Sequence, residues 1–203
     1  MATVEVESKF LLSPKQRHAL LSLAGTLTSF ADIYYDKHDY VLTSKNWWLR
    51  RRGGEWELKV DRFGLKGTST VYEEVAGERA IARWLGFSLN GNSLEHELQV
   101  YGYRFLVELI THRRIYRVDD FSITTDSVSA DCGAFSYEIC EIELLVPEGE
   151  RELARARIVA CARELGLSLV PVRGKLIEYF WRHRKPHFDL LVERGVIDPI
   201  LRE

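Results

Sequence analysis

Two glutamates and a lysine alternate along the first apolar segment of the chain, at Glu5, Glu7 and Lys9. The surrounding run, residues 4–12, predicts a β-strand, in which successive side chains point to opposite faces. The three charged residues therefore share one face. The other face carries the apolar residues Val4, Val6 and Phe10. Neighbouring carboxylates repel each other unless a cation lies between them, and an amine favours an anion. The strand thus suggests a divalent cation beside an anionic ligand, the alternative being a solvated charged face.

The same alternation returns in later segments of the chain. Charged residues share one strand face in four of them: Arg50 and Arg52; Glu55, Glu57 and Lys59; Arg113 and Arg117; Glu141 and Glu143. An open sheet could expose such faces to water, whereas a closed barrel would gather acids and bases into one lumen. The repetition favours the barrel over a set of solvated surfaces.

Composition limits the class of protein. The chain has 203 residues, of which 46% are hydrophobic, and a net charge of −2. This favours a globular domain with a sizeable core and argues against a nucleic-acid-binding protein, which would carry a basic excess. Membrane spans and a signal peptide are not predicted, because no apolar run approaches about 18 residues. We therefore expect a cytoplasmic protein, with a monomer favoured, and three cysteines that are small buried residues: Cys132, Cys140 and Cys161.

Strands dominate the predicted elements. They are expected at 4–12, 29–36, 47–52, 55–60, 69–75, 103–110, 111–118, 121–128 and 135–146. Gly53 and Gly54 predict a hairpin between two of them, and 62–67 is predicted as a loop. Several antiparallel strands with few helices predict an α+β fold, a barrel with flanking helices, in one domain over 1–203.

Helices are predicted where capping signals meet periodic apolar residues. Ser13, Pro14 and Gln16 form a capping box with proline at the first helical position, and Gly25 is expected to end this first helix. Further helices are predicted at 78–85, 151–165, 175–184 and 187–193, and the segment 94–100 is ambiguous.

The ordered set of motifs resembles the CYTH, or triphosphate tunnel metalloenzyme, superfamily. The matching segments are Glu-x-Glu-x-Lys at 5–9, Tyr-Tyr-Asp at 34–36, Trp-Leu-Arg-x-Arg at 48–52, Trp-Glu-Leu-Lys at 56–59, Glu-Ile-Glu at 141–143 and Lys-Leu-Ile at 175–177. The resemblance spans residues 5–182, and within the superfamily the chain is most similar to the animal thiamine triphosphatases. The Glu-x-Glu-x-Lys motif alone is a moderate signal, and the ordered set is a strong one.

This resemblance implies an eight-stranded antiparallel tunnel with two functional sides. The metal side, which would hold Mg²⁺, is expected to comprise Glu5, Glu7, Asp126, Glu141 and Glu143. The phosphate side is expected to comprise Lys9, Arg50, Arg52, Lys59, Arg113 and Lys175. Glu74 matches a further acidic family position. The related animal enzymes have Asp-x-Asp where this chain has Thr124-Thr125-Asp126, so Asp131 is the alternative to Asp126.

The resemblance also assigns roles to three aromatic and basic residues. Lys59 is expected to act either as a general base, with Tyr34 modulating it, or only in phosphate binding. Crowding by Arg50 and Arg52 would lower the pKa of Lys59 and favour the base. Trp48 occupies the position associated with the thiamine ring system, where an indole face attracts a cationic thiazolium; the alternative is a packing tryptophan.

The implied activity is Mg²⁺-dependent hydrolysis of thiamine triphosphate to thiamine diphosphate and phosphate. A hydrolase of inorganic tripolyphosphate with the same site is the first alternative. A non-catalytic protein that binds triphosphate or polyphosphate, and a nucleotide cyclase, are the others. In each case we expect a small-molecule triphosphate as the ligand.

Overall fold

The computed structural model describes residues 3–61 and 69–202. Its eight strands are β1 (Thr3–Phe10), β2 (Thr26–Asp36), β3 (Trp47–Arg52), β4 (Glu55–Val60), β5 (Ser69–Ala76), β6 (Arg104–Val118), β7 (Phe121–Ala130) and β8 (Phe135–Pro147). Its α-helices are α1 (Pro14–Leu21), α2 (Glu78–Trp84), α3 (Leu94–Val100), α4 (Arg151–Glu164), α5 (Lys175–His183) and α6 (Lys185–Glu193). In this part of the chain, no helix has the length and apolar character needed to cross a bilayer.

The strands form one closed barrel. Their order around it is β1-β5-β4-β3-β2-β6-β7-β8, and β8 pairs with β1 to complete the circle. Every neighbouring pair is antiparallel. The predicted α+β fold with an eight-stranded antiparallel barrel is therefore confirmed. Because side chains alternate along each strand, closure turns one row of every strand into the lumen and the other outward.

Outward-facing apolar rows are covered by helices on two sides. On one side, Val6 of β1 and Ile142 of β8 belong to a buried cluster that includes Ile158 of α4. On the other side, Leu58 of β4 packs in a cluster with residues of α2 and α3. These outer cores fix the orientation of the strands, so that the alternate residues of β1 and β8 face the lumen.

Helices α5 and α6 pack across part of the lumen. On β6, Leu109 and Arg113 share the inward parity, and Leu109 belongs to a buried cluster with Phe180 of α5 and Leu191 of α6. The inward row of β6 thus changes from charged to apolar along its length. This arrangement brings Lys175, the first residue of α5, to the boundary between the two parts.

The predicted elements agree with the structure apart from several boundaries. The capping box of Ser13 and Gln16 is confirmed, but α1 ends at Leu21 and not at Gly25. Residues 104–118 form one strand and not two, because the ladders to β2 and β7 overlap over residues 110–115. The ambiguous segment 94–100 is α3, with the Ser93 side chain accepting from the backbone of His96 at its start. The predicted loop 62–67 lies outside the described residues.

The cysteines follow the prediction only in part. Cys140 and Cys161 are buried, whereas Cys132 is exposed. The prediction of a buried Cys132 is wrong because this residue lies in a 3₁₀ turn with a φ of 53°. Such a turn lies between two strands at the surface and has no core to enter.

Candidate active site

The lumen contains a cavity of about 380 Å³ lined by charged residues of both signs. Of the residues predicted for the site, those that line it are Glu5, Glu7, Lys9, Tyr34, Trp48, Arg50, Arg52, Lys59, Glu74, Arg113, Glu141, Glu143 and Lys175. Asp126 and its alternative, Asp131, do not contribute to this lining. The inward direction of the alternating rows is therefore confirmed.

Three glutamates form one group on β1 and β8. Glu7 and Glu143 are directly opposite each other in the β1–β8 ladder, and Glu5 lies one inward position further along β1. One carboxylate oxygen from each of the three residues lies within 4.8 Å of the others. Burial, the charge of Glu5 and the neighbouring glutamates raise the pKa of Glu143. The three glutamates thus carry excess negative charge, which a bound cation would neutralise.

Lysines lie against this acidic group. Lys9 forms an ion pair with Glu7, and the ammonium of Lys59 lies 2.5 Å from a carboxylate oxygen of Glu5. Burial alone lowers the pKa of Lys59, but the charges of Glu5 and Glu7 outweigh it and hold that pKa above its usual value. The predicted lowering of the pKa of Lys59 is wrong, because its nearest charges are acidic.

A buried aspartate of β2 organises the basic side. Asp32 is fully buried, and its two carboxylate oxygens accept hydrogen bonds of 2.6 and 2.9 Å from Arg52. The ammonium of Lys175 donates to the same carboxylate at 2.8 Å, and Arg50 lies 3.7 Å away. Burial raises the pKa of Asp32, but the hydrogen bond from Arg52 and the neighbouring cations hold it well below its usual value. Asp32 therefore fixes three predicted phosphate ligands in one place.

Arg113 occupies the space between the two sides. It donates to both carboxylate oxygens of Asp126, at 2.6 and 2.7 Å, and to Glu141 at 3.1 Å. The structure therefore places Asp126 and Glu141 with an arginine, apart from the group of Glu5, Glu7 and Glu143. Asp126 is opposite Arg113 in the β6–β7 ladder, which explains the pairing.

The alternative aspartate lies elsewhere. Asp131 is in the exposed turn after β7, where its carboxylate accepts a hydrogen bond of 2.9 Å from the hydroxyl of Tyr179. This contact holds α5 against the barrel and does not reach the charged cavity.

Trp48 is held in the cavity wall by two polar residues. Its indole nitrogen donates to the side-chain oxygen of Asn46 at 2.9 Å and lies 3.2 Å from the hydroxyl of Tyr72. Asn46 adopts a left-handed conformation, with a φ of 58°, directly before β3. Trp47 points the opposite way and packs edge-on against Trp84 of α2, with 5.6 Å between ring centroids. The predicted opposite orientations of the two tryptophans are confirmed.

Sequence reasoning missed three residues of the site: Asp32, Asn46 and Tyr72. Asp32 could have been found, because it lies two positions before Tyr34 and must share its inward face. The other two had no comparable signal, since their role depends on which loop and strand lie beside Trp48.

Comparisons with known proteins agree with this geometry. A family model described as the CYTH domain matches residues 3–170. The thiamine-triphosphatases of Macaca fascicularis and Homo sapiens are each 30% identical to this chain, over 94% of it and 90% of their own length. Among solved structures, the PH1819 protein from Pyrococcus horikoshii OT3 is similar, with a TM-score of 0.57 and 21% identity over 81% of this chain and 91% of its own. That structural likeness concerns the fold alone.

Proposed function

The chain belongs to the CYTH domain family, and we propose that it is a Mg²⁺-dependent hydrolase that converts thiamine triphosphate to thiamine diphosphate and phosphate. The observation that carries this proposal is the opposition, within one cavity, of a glutamate group and a set of arginines and lysines. The two thiamine-triphosphatases that match nearly the whole chain support the choice of substrate.

The glutamate group fits a magnesium ion. Mg²⁺ binds oxygen ligands at about 2.1 Å, so two of its ligands lie up to roughly 4 Å apart. The oxygens of Glu5, Glu7 and Glu143 lie within 4.8 Å of one another, and small side-chain rotations close the difference. A bound Mg²⁺ would supply positive charge to the phosphate oxygens and polarise the bond to be broken. We assign these three glutamates as its first ligands, with Glu141 nearby.

The basic side fits the triphosphate chain. Arginine binds phosphate oxygens through two parallel hydrogen bonds, and lysine acts as a compact charge. We assign this role to Lys9, Arg50, Arg52, Arg113 and Lys175. In the absence of substrate their charges are balanced by acidic partners, Asp32 and Asp126 among them. A triphosphate would therefore enter a site whose cations are already positioned, which lowers the entropy cost of binding.

Lys59 and Tyr34 are assigned to the reacting end of the substrate. The ammonium of Lys59 lies 2.5 Å from a carboxylate oxygen of Glu5, and we assign it as a protonated donor that stabilises charge on the phosphoryl group. Tyr34 is opposite Arg50 in the β2–β3 ladder and lines the same cavity, so its hydroxyl can orient the attacking water.

A panel of substrates tests the proposal. Phosphate release is measured from thiamine triphosphate and from inorganic tripolyphosphate, each with Mg²⁺ and with a chelator. We expect Mg²⁺-dependent turnover and a higher kcat/KM for thiamine triphosphate. Faster cleavage of tripolyphosphate would assign the site to the inorganic compound, and an absence of phosphate release from either would indicate a binding protein.

A further inference from the structure

Phe30 is an aromatic residue on the inward row of β2, and the proposed function gives it no role. It lies two positions before Asp32, so both side chains project into the lumen from the same face of the strand. Its neighbour across the β2–β6 ladder is Thr111, whose hydroxyl accepts a hydrogen bond of 3.2 Å from the ammonium of Lys175. The Phe30 ring therefore belongs to the basic side of the barrel.

Three of the cations assigned to phosphate binding lie close to this ring. The guanidinium carbon of Arg52 is 4.0 Å from the ring centroid of Phe30, and that of Arg113 is 5.5 Å from it. The ammonium nitrogen of Lys175 lies 5.2 Å from the same centroid. An aromatic face attracts cations within about 6 Å. One ring thus contacts side chains from β3, β6 and α5, which meet at no other aromatic residue of the described chain.

Packing alone does not account for a phenylalanine at this position. Phe30 is only partly buried, and it belongs to none of the three buried apolar clusters among the described residues. Its recorded ring contacts are those with the three cations. The interactions of the ring are therefore with the basic side of the site and not with a hydrophobic core.

The ring supports the cations without occupying their hydrogen-bond donors. The three cations line the cavity, whereas Phe30 and Asp32 do not contribute to its lining. Asp32 binds Arg52 through the nitrogens Nε and Nη2 and so uses donors that a phosphate could also use. An aromatic face instead contacts the plane of a guanidinium, and the N–H groups lie within that plane. Phe30 can therefore hold Arg52 in place and leave its remaining donors available.

We propose that Phe30 is a positioning residue that holds the three cations in the orientation that binds the phosphate chain. The inference rests on the proposed function and extends it, because it adds an uncharged support to the buried anion Asp32. Without the ring, the side chains of Arg52 and Arg113 would have more freedom in the free protein, and binding would cost more entropy. Because the ring acts on the phosphate-binding cations, its loss should affect every triphosphate to the same extent.

A substitution series at Phe30 tests the proposal. Phe30→Leu keeps an apolar side chain and removes the aromatic face, whereas Phe30→Tyr keeps that face. The matched control is Phe121→Leu, because Phe121 is also partly buried and its ring lies 5.2 Å from the guanidinium carbon of Arg157, outside the cavity. KM and kcat are measured with Mg²⁺ for thiamine triphosphate and for tripolyphosphate, and urea unfolding shows that each variant is folded.

We expect Phe30→Leu to raise KM about fivefold for both substrates and to leave kcat within about twofold. Phe30→Tyr should stay within about twofold of wild type in both constants, as should Phe121→Leu. An unchanged KM in Phe30→Leu would overturn the proposal. An equal rise of KM in Phe30→Tyr would overturn it as well, because the aromatic face would then be irrelevant.

A double-mutant comparison separates positioning from a purely structural role. If the ring acts through Arg52, its nearest cation, Phe30→Leu should raise KM less than about twofold further in the Arg52→Gln background. In the Lys9→Gln background the full, roughly fivefold effect should persist, because Lys9 pairs with Glu7 on β1 and has no recorded contact with the ring. Equal effects in the two backgrounds would mean that the ring only supports the fold.

The wild-type protein tests the proposed function separately. Faster cleavage of tripolyphosphate would change the substrate assignment and leave the comparison at Phe30 as it is. If wild type hydrolyses neither compound, the proposed function fails, and the calorimetric dissociation constant of tripolyphosphate with Mg²⁺ replaces KM in the same comparison. A wild type that does not bind tripolyphosphate would overturn both the proposed function and the role of Phe30.

Discussion

The ammonium of Lys175 donates a 2.8 Å hydrogen bond to the carboxylate of Asp32, although the two residues lie on α5 and β2. The same carboxylate binds Arg52 through two hydrogen bonds. A fully buried anion thus holds cations from a helix and from the barrel wall. In the substrate-free protein the Asp32 carboxylate neutralises cations that would also bind a phosphate. Asp32 is therefore a residue that positions the phosphate-binding groups.

Replacing Asp32 should lower the stability of the ligand-free protein more than that of the ligand-bound protein. Asp32→Asn leaves several buried cations without a counter-charge, and we expect a loss of about 3 kcal/mol in the free energy of unfolding. Tripolyphosphate should restore much of that loss, because it supplies negative charge to the same cations. Urea unfolding with and without tripolyphosphate measures both effects. Asp39→Asn, at an exposed position nearby, is the control, and equal unfolding of the two variants would contradict the role of Asp32.

Removing one member of the glutamate group should weaken metal binding and stabilise the metal-free protein. Glu143→Gln removes a metal ligand, so the Mg²⁺ concentration at half-maximal binding should rise at least about tenfold. It also removes a partly buried charge whose pKa is raised by desolvation and by Glu5, so the melting temperature in chelator should increase. Calorimetric Mg²⁺ titration and thermal unfolding check the two results. Glu138→Gln, on the exposed side of the same strand, should leave Mg²⁺ binding unchanged.

Trp47 and Trp48 are adjacent but point in opposite directions, so a substitution of Trp47 is a control for the same substitution of Trp48. Trp48→Ala should raise KM for thiamine triphosphate roughly tenfold through the loss of a cation–π contact and should leave tripolyphosphate nearly unaffected. Trp47→Ala should lower the melting temperature, because Trp47 packs on Trp84, without changing the ratio of the two substrates. Steady-state kinetics with both compounds decide the matter, and a shift in that ratio for Trp47→Ala would count against the assignment.

His187 should make stability depend on pH below neutrality. Its ring nitrogen Nε2 lies 2.9 Å from the hydroxyl of Thr43, which itself donates to Asp36 at 2.7 Å, so Nε2 is the donor. The other nitrogen, Nδ1, is buried without a partner. Burial, with the charge of Arg184, lowers the pKa of His187 from 6.5 to about 4.

Because the pKa of His187 is lower in the folded state, its contribution is fully present above pH 6.5 and is lost as the pH falls towards 4. The loss should reach roughly 3 kcal/mol. Urea unfolding at several pH values should give a steeper decline for wild type than for His187→Gln in this range. His18→Gln, at an exposed position, should keep the wild-type slope, and parallel curves for all three proteins would rule out the role of His187.

The sequence could predict the rows of the barrel because their signal is local. Alternation of Glu5, Glu7 and Lys9 against Val4 and Val6 specifies two faces of a strand without reference to any other part of the chain. Because the pattern repeats in several strands, a closed barrel is the arrangement that gathers all of these charged faces into one lumen. The predicted bounds of strands 47–52 and 55–60 match the structure, because Gly53 and Gly54 mark the turn between them.

Pairing between charged residues of different strands could not be predicted in the same way. Asp126 has the residue type and the parity of a metal ligand, but its position opposite Arg113 in the ladder gives its oxygens to a guanidinium. The predicted lowering of the pKa of Lys59 is wrong for the same reason. Arg50 and Arg52 are near Lys59 in sequence, but Glu5 is the charge that lies beside it in space. Such contacts depend on barrel register, which local patterns do not encode.

Closure of the barrel has a consequence for how the chain folds. The β1–β8 seam joins the first described strand to one formed by residues 135–147, and it sets Glu7 directly against Glu143. Contacts between distant segments form slowly, and like charges opposite each other disfavour the pairing. The last strand pairing should therefore be the kinetic bottleneck of refolding, and millimolar divalent salt should accelerate it even when no substrate is present.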